Sequence, residues 1–565
     1  MAWEAWLAAN LAPLMFVALV LLLLSGVPVV FGLAACALSV ALIGVQLDVM
    51  PAALLQALPL RLIGIMGNDL LLAIPFFTLM GLILDRCGLA RDLLETVGLV
   101  FGPLRGGLAF AVVLVGALLG ATTGVIAASV ISMGLFSLPL MLRHGYHPRF
   151  ASGVIAASGS LTQIVPPSLV LIVLADQLNR SVGDMYAAAL VPAAMIIGAY
   201  LLLVAGVAWW RPDALPALPS DERAAREADG SSGLRSLGAL MLAGAIGSVL
   251  FMQAYPSLLV RLGRTLVAPP IDERVIVALA MAVFIAFVLA LADQVLRFHW
   301  LSALARRVAF VLIPPLILIF LVLGTIYLGL ATPTESGAMG ALGAMALARR
   351  RLRWAQFIEA ALATTKLSCF VLFVLIGSTV FVHVFNSLDG TRWVQHLFRD
   401  LPGGAAGMLT FVTVLVFVLG FFLDSFEIAF ILVPVLAPVA AALGIDLVWF
   451  GVLLAVNLQT SFLTPPFGYA LFFLRGVAPS EARVDAASGR IVKGVSTLDI
   501  YIGVLPFVAV QVLVMVVLIA FPQLIVVDDG RATRLSDEAV LESLQRAGQQ
   551  SRWQLEADEP LSPAR

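Results

Sequence analysis

The chain has 565 residues, 61% of them hydrophobic and 12% charged, and a formal net charge of −1. Soluble domains carry roughly 25% charged residues, so this composition, with a mean hydropathy of +1.06, excludes a soluble globular protein and reads as an all-α, polytopic protein of the lipid bilayer. The near-zero net charge suggests no nucleic-acid partner, and the three cysteines (Cys36, Cys87, Cys369) stand apart in apolar surroundings, without disulfide or metal-ligand spacing.

The opening MAWEAWLAANLAPLMF has no basic n-region and no small-residue cleavage site, so its apolar segment is expected to be retained as a span. Apolar segments fall at 8–24, 28–44, 70–85, 106–119, 125–142, 150–177, 185–210, 238–260, 275–296, 309–328, 333–348, 368–386, 407–423, 427–443, 448–475 and 500–525. Several are too short or too interrupted to cross fully, and read as re-entrant hairpins or half-helices. Residues 211–236 (RPDALPALPSDERAAREADGSSGLRS) read as a charged cytoplasmic loop. Residues 526–565 read as a polar periplasmic tail, with amphipathic spacing in VLESLQRAGQQSRWQLE.

Two of these segments carry similar interruptions. Gly159-Ser160-Leu161-Thr162-Gln163-Ile164-Val165-Pro166-Pro167-Ser168 and Asn457-Leu458-Gln459-Thr460-Ser461-Phe462-Leu463-Thr464-Pro465-Pro466-Phe467-Gly468 each place hydroxyls and a Pro-Pro pair in the middle of an apolar run. Proline lacks an N–H and pushes its predecessor out of the α region, so neither helix continues through. Freed carbonyls at membrane depth are tolerated only where they are buried in protein or line a cavity, and paired broken helices mark the site of a repeat-built secondary transporter.

The interruptions belong to a longer repeat. At an offset of 299, Pro139 falls on Pro438, Gly145 on Gly444, Pro166 on Pro465 and Pro167 on Pro466; at 300, Gly120 falls on Gly420. The repeats are drawn as 1–185 and 310–485, joined by 186–309, with a final span in 486–525 ahead of the tail. Arg143 and Arg149 mark one loop whose counterpart carries only Asp446, while Arg349, Arg350, Arg351 and Arg353 mark another whose counterpart carries only Asp48. The positive-inside rule puts each basic loop in the cytoplasm and its counterpart outside, so the repeats are inverted. The cationic stretch 261–274, which this count puts outside, is a mild conflict.

Each break is paired with a hairpin turn, Gly120-Ala121-Thr122-Thr123-Gly124 in the first repeat and Phe422-Leu423-Asp424-Ser425-Phe426 in the second. Carbonyls of a broken helix, hydroxyls and one carboxylate are the oxygen set that a sodium ion takes. Asp424 in an apolar run costs roughly 2.5–3.5 kcal/mol on insertion scales, and reads either as a cation ligand or as the cap of the following helix. The hydroxyls of Thr122, Thr123, Ser158 and Ser160 read either as ligands or as small residues easing helix packing. Ala331-Thr332-Pro333-Thr334-Glu335 is a capping box that explains itself, though Glu335 is also carried as a substrate contact. Gln163 and Gln459 stand where an amide could donate to a carboxylate, and His383 reads as a satisfied core histidine. No P-loop, Ser/His/Asp triad, HExxH or CxxC is present. The chain is therefore expected to be no enzyme, to need no organic cofactor, and to draw its energy from an ion gradient.

At these residues the chain resembles the large membrane subunit of a tripartite ATP-independent periplasmic (TRAP) transporter. The resembling stretches are LLLAIPFFTLMGLILDRCGLARDL, LLGATTGVIAASVISMGLFSLPLMLRHGYHPRFASGVIAASGSLTQIVPPSLVLIVLADQ, LGLATPTESGAMGA, FFLDSFEIAFILVPVLAPVAAALGIDLVWFGVLLAVNLQTSFLTPPFGYALFFLRG and IYIGVLPFVAVQVLVMVVLIAFP. FEIAF and NLQTSFLTPPFG are similar to the branch labelled for mannitol or chloroaromatic compounds, which also resembles carriers of 2-oxo acids and lactate.

The resemblance implies an elevator-type ion-transporter-superfamily fold with two re-entrant hairpins and two broken helices in the bacterial inner membrane. It implies sodium-coupled uptake of an organic acid, with a periplasmic substrate-binding protein and a small four-helix membrane subunit as partners. Carried onto this chain, one sodium site uses Thr122, Thr123 and Gly124 with Ser158, Gly159 and Ser160; the other uses Asp424 and Ser425 with Asn457, Thr460 and Thr464. Gln163, Pro166, Pro167, Gln459, Ser461, Pro465, Pro466 and Glu335 are the corresponding substrate candidates. The chain departs from the family at Thr123-Gly124-Val125-Ile126, where a turn that often reads Ser-Gly-Ser-Ser lacks two hydroxyls, and in its extra spans 238–260 and 275–296. The rival reading is a stand-alone ion-coupled carboxylate carrier or antiporter of the same superfamily.

Overall fold

The computed structural model describes residues 2–219, 233–261, 271–297, 300–399, 402–484, 491–492 and 494–525. The tail 526–565, residues 220–232 of the charged loop and 262–270 of the cationic stretch lie outside the described residues. In chain order the first helices are α1 (Ala2–Ala9), α2 (Leu11–Leu24), α3 (Val29–Gln46), α4 (Leu58–Met66), α5 (Asp69–Arg86) and α6 (Leu89–Phe101). They continue as α7 (Gly107–Thr123), α8 (Ile126–Arg143), α9 (Pro148–Ser160), α10 (Leu169–Gln177), α11 (Val182–Trp210), α12 (Leu234–Arg261) and α13 (Ile271–Leu296). The remainder are α14 (Ala303–Tyr327), α15 (Pro333–Ala348), α16 (Trp354–Ser387), α17 (Gly390–Arg399), α18 (Gly404–Leu419), α19 (Ser425–Ala442), α20 (Leu447–Leu463), α21 (Tyr469–Val477) and α22 (Thr497–Ala520). A two-residue antiparallel ladder pairs Arg483–Val484 with Ile491–Val492. Among the described residues nine helices are long and apolar enough to cross a bilayer, or ten if 52–66 and 69–86, bent by 47°, form one span.

The repeat seen in sequence is a repeat of structure. α8 and α19 begin and end at positions 299 apart, and α9 and α20 begin 299 apart. Gly145 and Gly444, just past α8 and α19, both take a left-handed backbone (φ +82° and +73°) that a residue with a Cβ adopts only at a cost, so the two helices end on the same kind of turn. Pro166–Pro167 and Pro465–Pro466 are both cis.

The two halves exchange partners. α5 packs on α15 while α3 packs on α16; α10 packs on α19 while α8 packs on α21; α9 packs on α22 while α11 packs on α20. Each pair is the image of its partner under exchange of the repeats, so α11 and α22 correspond as well. The repeats therefore run from α2 to α11 and from α14 to α22, past the boundaries 185 and 485 drawn from sequence. α6 and α17 occupy equivalent places, as do the bent α4–α5 and the long α16. Sequence hydropathy passed over α4, α6 and α17 because they are amphipathic rather than apolar, with charges such as Arg91, Asp92 and Arg392 on one face.

The insert α12–α13 realises the extra spans. Tyr255 donates to Glu273 at 2.6 Å and Ser248 donates to the Ala278 carbonyl at 2.6 Å, closing the pair on itself. Leu237 packs with Leu304, Ala305 and Val308, and Arg306 pairs with buried Asp293 at 3.4 Å, which docks the insert on α14.

Candidate functional site

α9 runs to Ser160, tightens into a 3₁₀ turn over Leu161–Gln163, passes through the two prolines and restarts at α10. Ser168 closes the gap by donating to the Gln163 carbonyl at 2.7 Å. α20 runs to Leu463 and restarts at α21 after Thr464-Pro465-Pro466-Phe467-Gly468. The arms before the hairpin turns lie directly on these breaks. A Cβ at Gly120 would stand 3.1 Å from the Thr162 Cα, and one at Gly420 would stand 2.2 Å from the Ser461 Oγ, so the offset-300 glycine pair is kept small by one shared contact.

At the first break the turn and the broken helix share a chain of hydroxyls. Thr123 Oγ1 lies 2.7 Å from Ser129 Oγ, and Thr162 Oγ1 donates to Ser129 Oγ at 3.1 Å. Thr122 and Thr123 donate to the Leu119 carbonyl, Ser158 to Val154 and Ser160 to Ala157, at 2.6–3.0 Å. All these side chains are buried, and Gly124 takes the left-handed turn (φ +61°) that ends α7. A hydroxyl that spends its proton on its own helix keeps oxygen lone pairs free, and such a surface suits a cation.

The second break repeats the scheme with amides and carboxylates. Asp424 caps α19, its Oδ1 accepting from the Phe426 N–H and the Ser425 hydroxyl at 3.0 Å, and Glu427 completes the box on the Asp424 N–H at 2.8 Å. The capping reading of Asp424 is thus realised. Thr460, Ser461 and Thr464 all donate to carbonyls of α20 at 2.7–2.9 Å. Asn457 donates to the Thr413 carbonyl at 2.8 Å, while its own Oδ1 is buried without a partner. Tyr469, at the start of α21, stands beside Asp424 and Glu427 and donates to the Phe422 carbonyl at 3.2 Å.

Between the breaks lies a fully buried polar node. Gln459 Nε2 donates to Ser160 Oγ at 3.4 Å; the Tyr200 hydroxyl faces Ser160 and Gln511 without reaching hydrogen-bond geometry, and the Gln511 amide makes no protein hydrogen bond. The Gln163 amide is buried with neither atom paired, leaving a spare donor at the first break.

Most sequence candidates come together at these breaks. Gly159 packs against Val130, Pro465 is half-buried, and Pro466 is exposed with its carbonyl accepting from Tyr501 at 2.9 Å. Glu335 does not join them: it is exposed on α15, its carboxylate spent on the Thr332 N–H at 2.8 Å as the capping box requires. His383 bonds the Leu54 carbonyl at 2.8 Å, a satisfied core histidine. Sequence reasoning missed Ser129, Tyr200, Tyr469 and Gln511. A helical turn past the hairpin would have found Ser129; the others come from neighbouring helices, and nothing in their spacing marks them.

The model of the DctM component of tripartite ATP-independent periplasmic transporters matches residues 16–524. The chain belongs to that family. The permease is 26% identical over 437 residues to the C4-dicarboxylate TRAP transporter large permease protein DctM of Pseudomonas aeruginosa, covering 76% of this chain and 83% of the relative. It is 26% identical over 470 residues to the Rhodobacter capsulatus protein of the same description, covering 82% and 90%. It is also 23% identical over 459 residues to the 2,3-diketo-L-gulonate TRAP transporter large permease protein YiaN of Escherichia coli, covering 81% and 85%. The permease is accordingly a multi-pass transport subunit of the bacterial inner membrane and not an enzyme.

Proposed function

We propose that the permease couples inward sodium movement to uptake of an organic acid handed over by a periplasmic binding protein, in complex with a small membrane subunit. The observation that carries this reading is the set of buried or half-buried hydroxyls at both breaks. Each gives its proton to its own helix and leaves oxygen lone pairs unspent, with an acid at the second break only. One cation is assigned to Thr122, Thr123, Gly124, Ser158, Gly159 and Ser160, with Ser129 supplying a hydroxyl that the Val125-Ile126 turn lacks. The other is assigned to Asp424, Ser425, Asn457, Thr460 and Thr464. A carboxylate substrate lies between them, taking donors from Gln163 and Gln459 and packing on Ser461 and the two Pro-Pro pairs. Two nearby cations lower the cost of bringing such an anion into a low-dielectric site. Relatives named for C4-dicarboxylate, 2,3-diketo-L-gulonate and sialic acid all handle organic anions.

The movement that carries the site across is read as an elevator. α2–α5 with α14–α16 form a frame, α7–α11 with α18–α22 form the moving body, and α6 and α17 are the arms between them. The test is uptake of a radiolabelled organic acid into proteoliposomes holding the permease and small subunit, with binding protein outside. Uptake is expected only when both partners are present and the sodium gradient points inward. Full uptake by the permease alone would favour the stand-alone carrier.

A further inference from the structure

The cytoplasmic end of α11 forms a cleft that the transport reading leaves unused. α11 has 29 residues and so spans about 43 Å, close to the ~40–45 Å of a whole bilayer with its head groups. Trp209 and Trp210, at its end, are 90% and 91% exposed, as expected of aromatic side chains at head-group depth. The chain then folds back as a strap. The Gly106 N–H donates to the Leu215 carbonyl, the Leu218 N–H to Gly102 and the His147 N–H to Ala214, at 3.0–3.1 Å, and Leu215 and Leu218 are buried beneath.

Strap and α8–α9 turn enclose an open-sided cavity of about 600 Å³, within the range of small-molecule sites, lined by Tyr146, His147, Trp210, Arg211 and Asp213 among others. Among the described residues neither the Arg211 guanidinium nor the Asp213 carboxylate has an ion-pair or hydrogen-bond partner, and both residues are exposed. His147 Nδ1 accepts from the Arg149 N–H at 3.3 Å, and its Nε2 is unused.

Two opposite charges that border one cavity and do not pair with each other match a ligand that carries both signs. We propose that this cleft binds the head group of a zwitterionic phospholipid with a primary ammonium, its phosphate on Arg211 and its ammonium on Asp213. A purely anionic head group, or inorganic phosphate, meets the Asp213 carboxylate unfavourably. A quaternary ammonium has no N–H to give that carboxylate. The same zwitterion exists in soluble form as glycerophosphoethanolamine, but the flanking tryptophans put the cleft where lipid head groups lie. This proposal is independent of sodium coupling.

The test is native mass spectrometry of the delipidated full-length permease titrated with phosphatidylethanolamine, phosphatidylglycerol, phosphatidylcholine and soluble glycerophosphoethanolamine. Phosphatidylethanolamine is expected to bind tightest, and Arg211→Gln or Asp213→Asn to weaken that step by about tenfold, the effect of one lost charge-assisted contact. Melting temperatures of both variants should match the parent, and the charge-swapped double variant R211D/D213R should regain part of the preference. Unchanged phosphatidylethanolamine affinity in both single variants overturns the site. Phosphatidylglycerol binding as tightly as phosphatidylethanolamine overturns the two-charge reading, and soluble glycerophosphoethanolamine matching the lipid overturns the lipid as occupant.

Discussion

Gln459 reaches Ser160 across the middle of the molecule, Nε2 to Oγ at 3.4 Å, and these residues occupy the same position of the two repeats, 299 apart. Equivalent residues touch only where a pseudo-two-fold axis passes between them. The axis therefore runs through the buried node, with one break on either side.

That axis, together with the charge bias of the loops, predicts opposite membrane orientations for the repeats. Cysteines at Gly145 and Gly444 would force side chains into left-handed backbone, at about 1–2 kcal/mol each, so His147 and Asp446 are better positions. They are also 299 apart, both exposed and both helix caps. In a background lacking Cys36, Cys87 and Cys369, an impermeant maleimide should label Cys at 147 from the cytoplasm and Cys at 446 from outside. Labelling from one side only would end the inverted arrangement.

Asp424→Asn separates the two roles of that side chain. Asparagine caps a helix about as well as aspartate, so expression and melting temperature should stay near the parent. The charge offered to a cation is lost, and uptake should lose its sodium dependence or fall at least about tenfold. Uptake in proteoliposomes across a sodium series measures this. An unchanged response would leave Asp424 as a cap and nothing more.

Ser129→Ala should raise the sodium concentration for half-maximal uptake by about tenfold while the protein still folds. Thr123 and Thr162 keep their own backbone acceptors, so little stability is at stake, roughly 1 kcal/mol. A sodium response equal to the parent's would remove Ser129 from the cation site.

Asn68 caps α5 and donates to Asp176 at the end of α10 at 2.8 Å, a contact between the frame and the body proposed to move. Cysteines at 68 and 176 joined by a short bifunctional thiol reagent should stop uptake, and a reducible linker should restore it on reduction. Full uptake with both thiols crosslinked would mean that α10 does not move against α5.

Much of this was legible in sequence because it rests on backbone chemistry. Pro-Pro pairs end helices, glycines admit close approach or left-handed turns, and the register of Pro139, Gly145, Pro166 and Pro167 on their counterparts reproduces the observed repeat. What escaped depends on packing. α6 and α17 are amphipathic and too polar for hydropathy to mark as spans. Glu335 reads in sequence as a substrate contact as well as a capping-box residue, and only the capping role is realised, on an exposed helix start away from the breaks. Tyr200 and Gln511 reach the axis from α11 and α22, so their place at the centre follows from how the repeats interlock.

Sodium coupling is tested most directly by counting both ions and substrate in the same vesicles. Isotopic sodium and radiolabelled organic acid are followed together in proteoliposomes that hold the permease and small subunit, with binding protein outside. Sodium should enter only when substrate and binding protein are present, in a fixed ratio to the substrate carried, and Asp424→Asn should abolish that linked entry. Substrate accumulation with no accompanying sodium, driven instead by a proton gradient, would contradict the account.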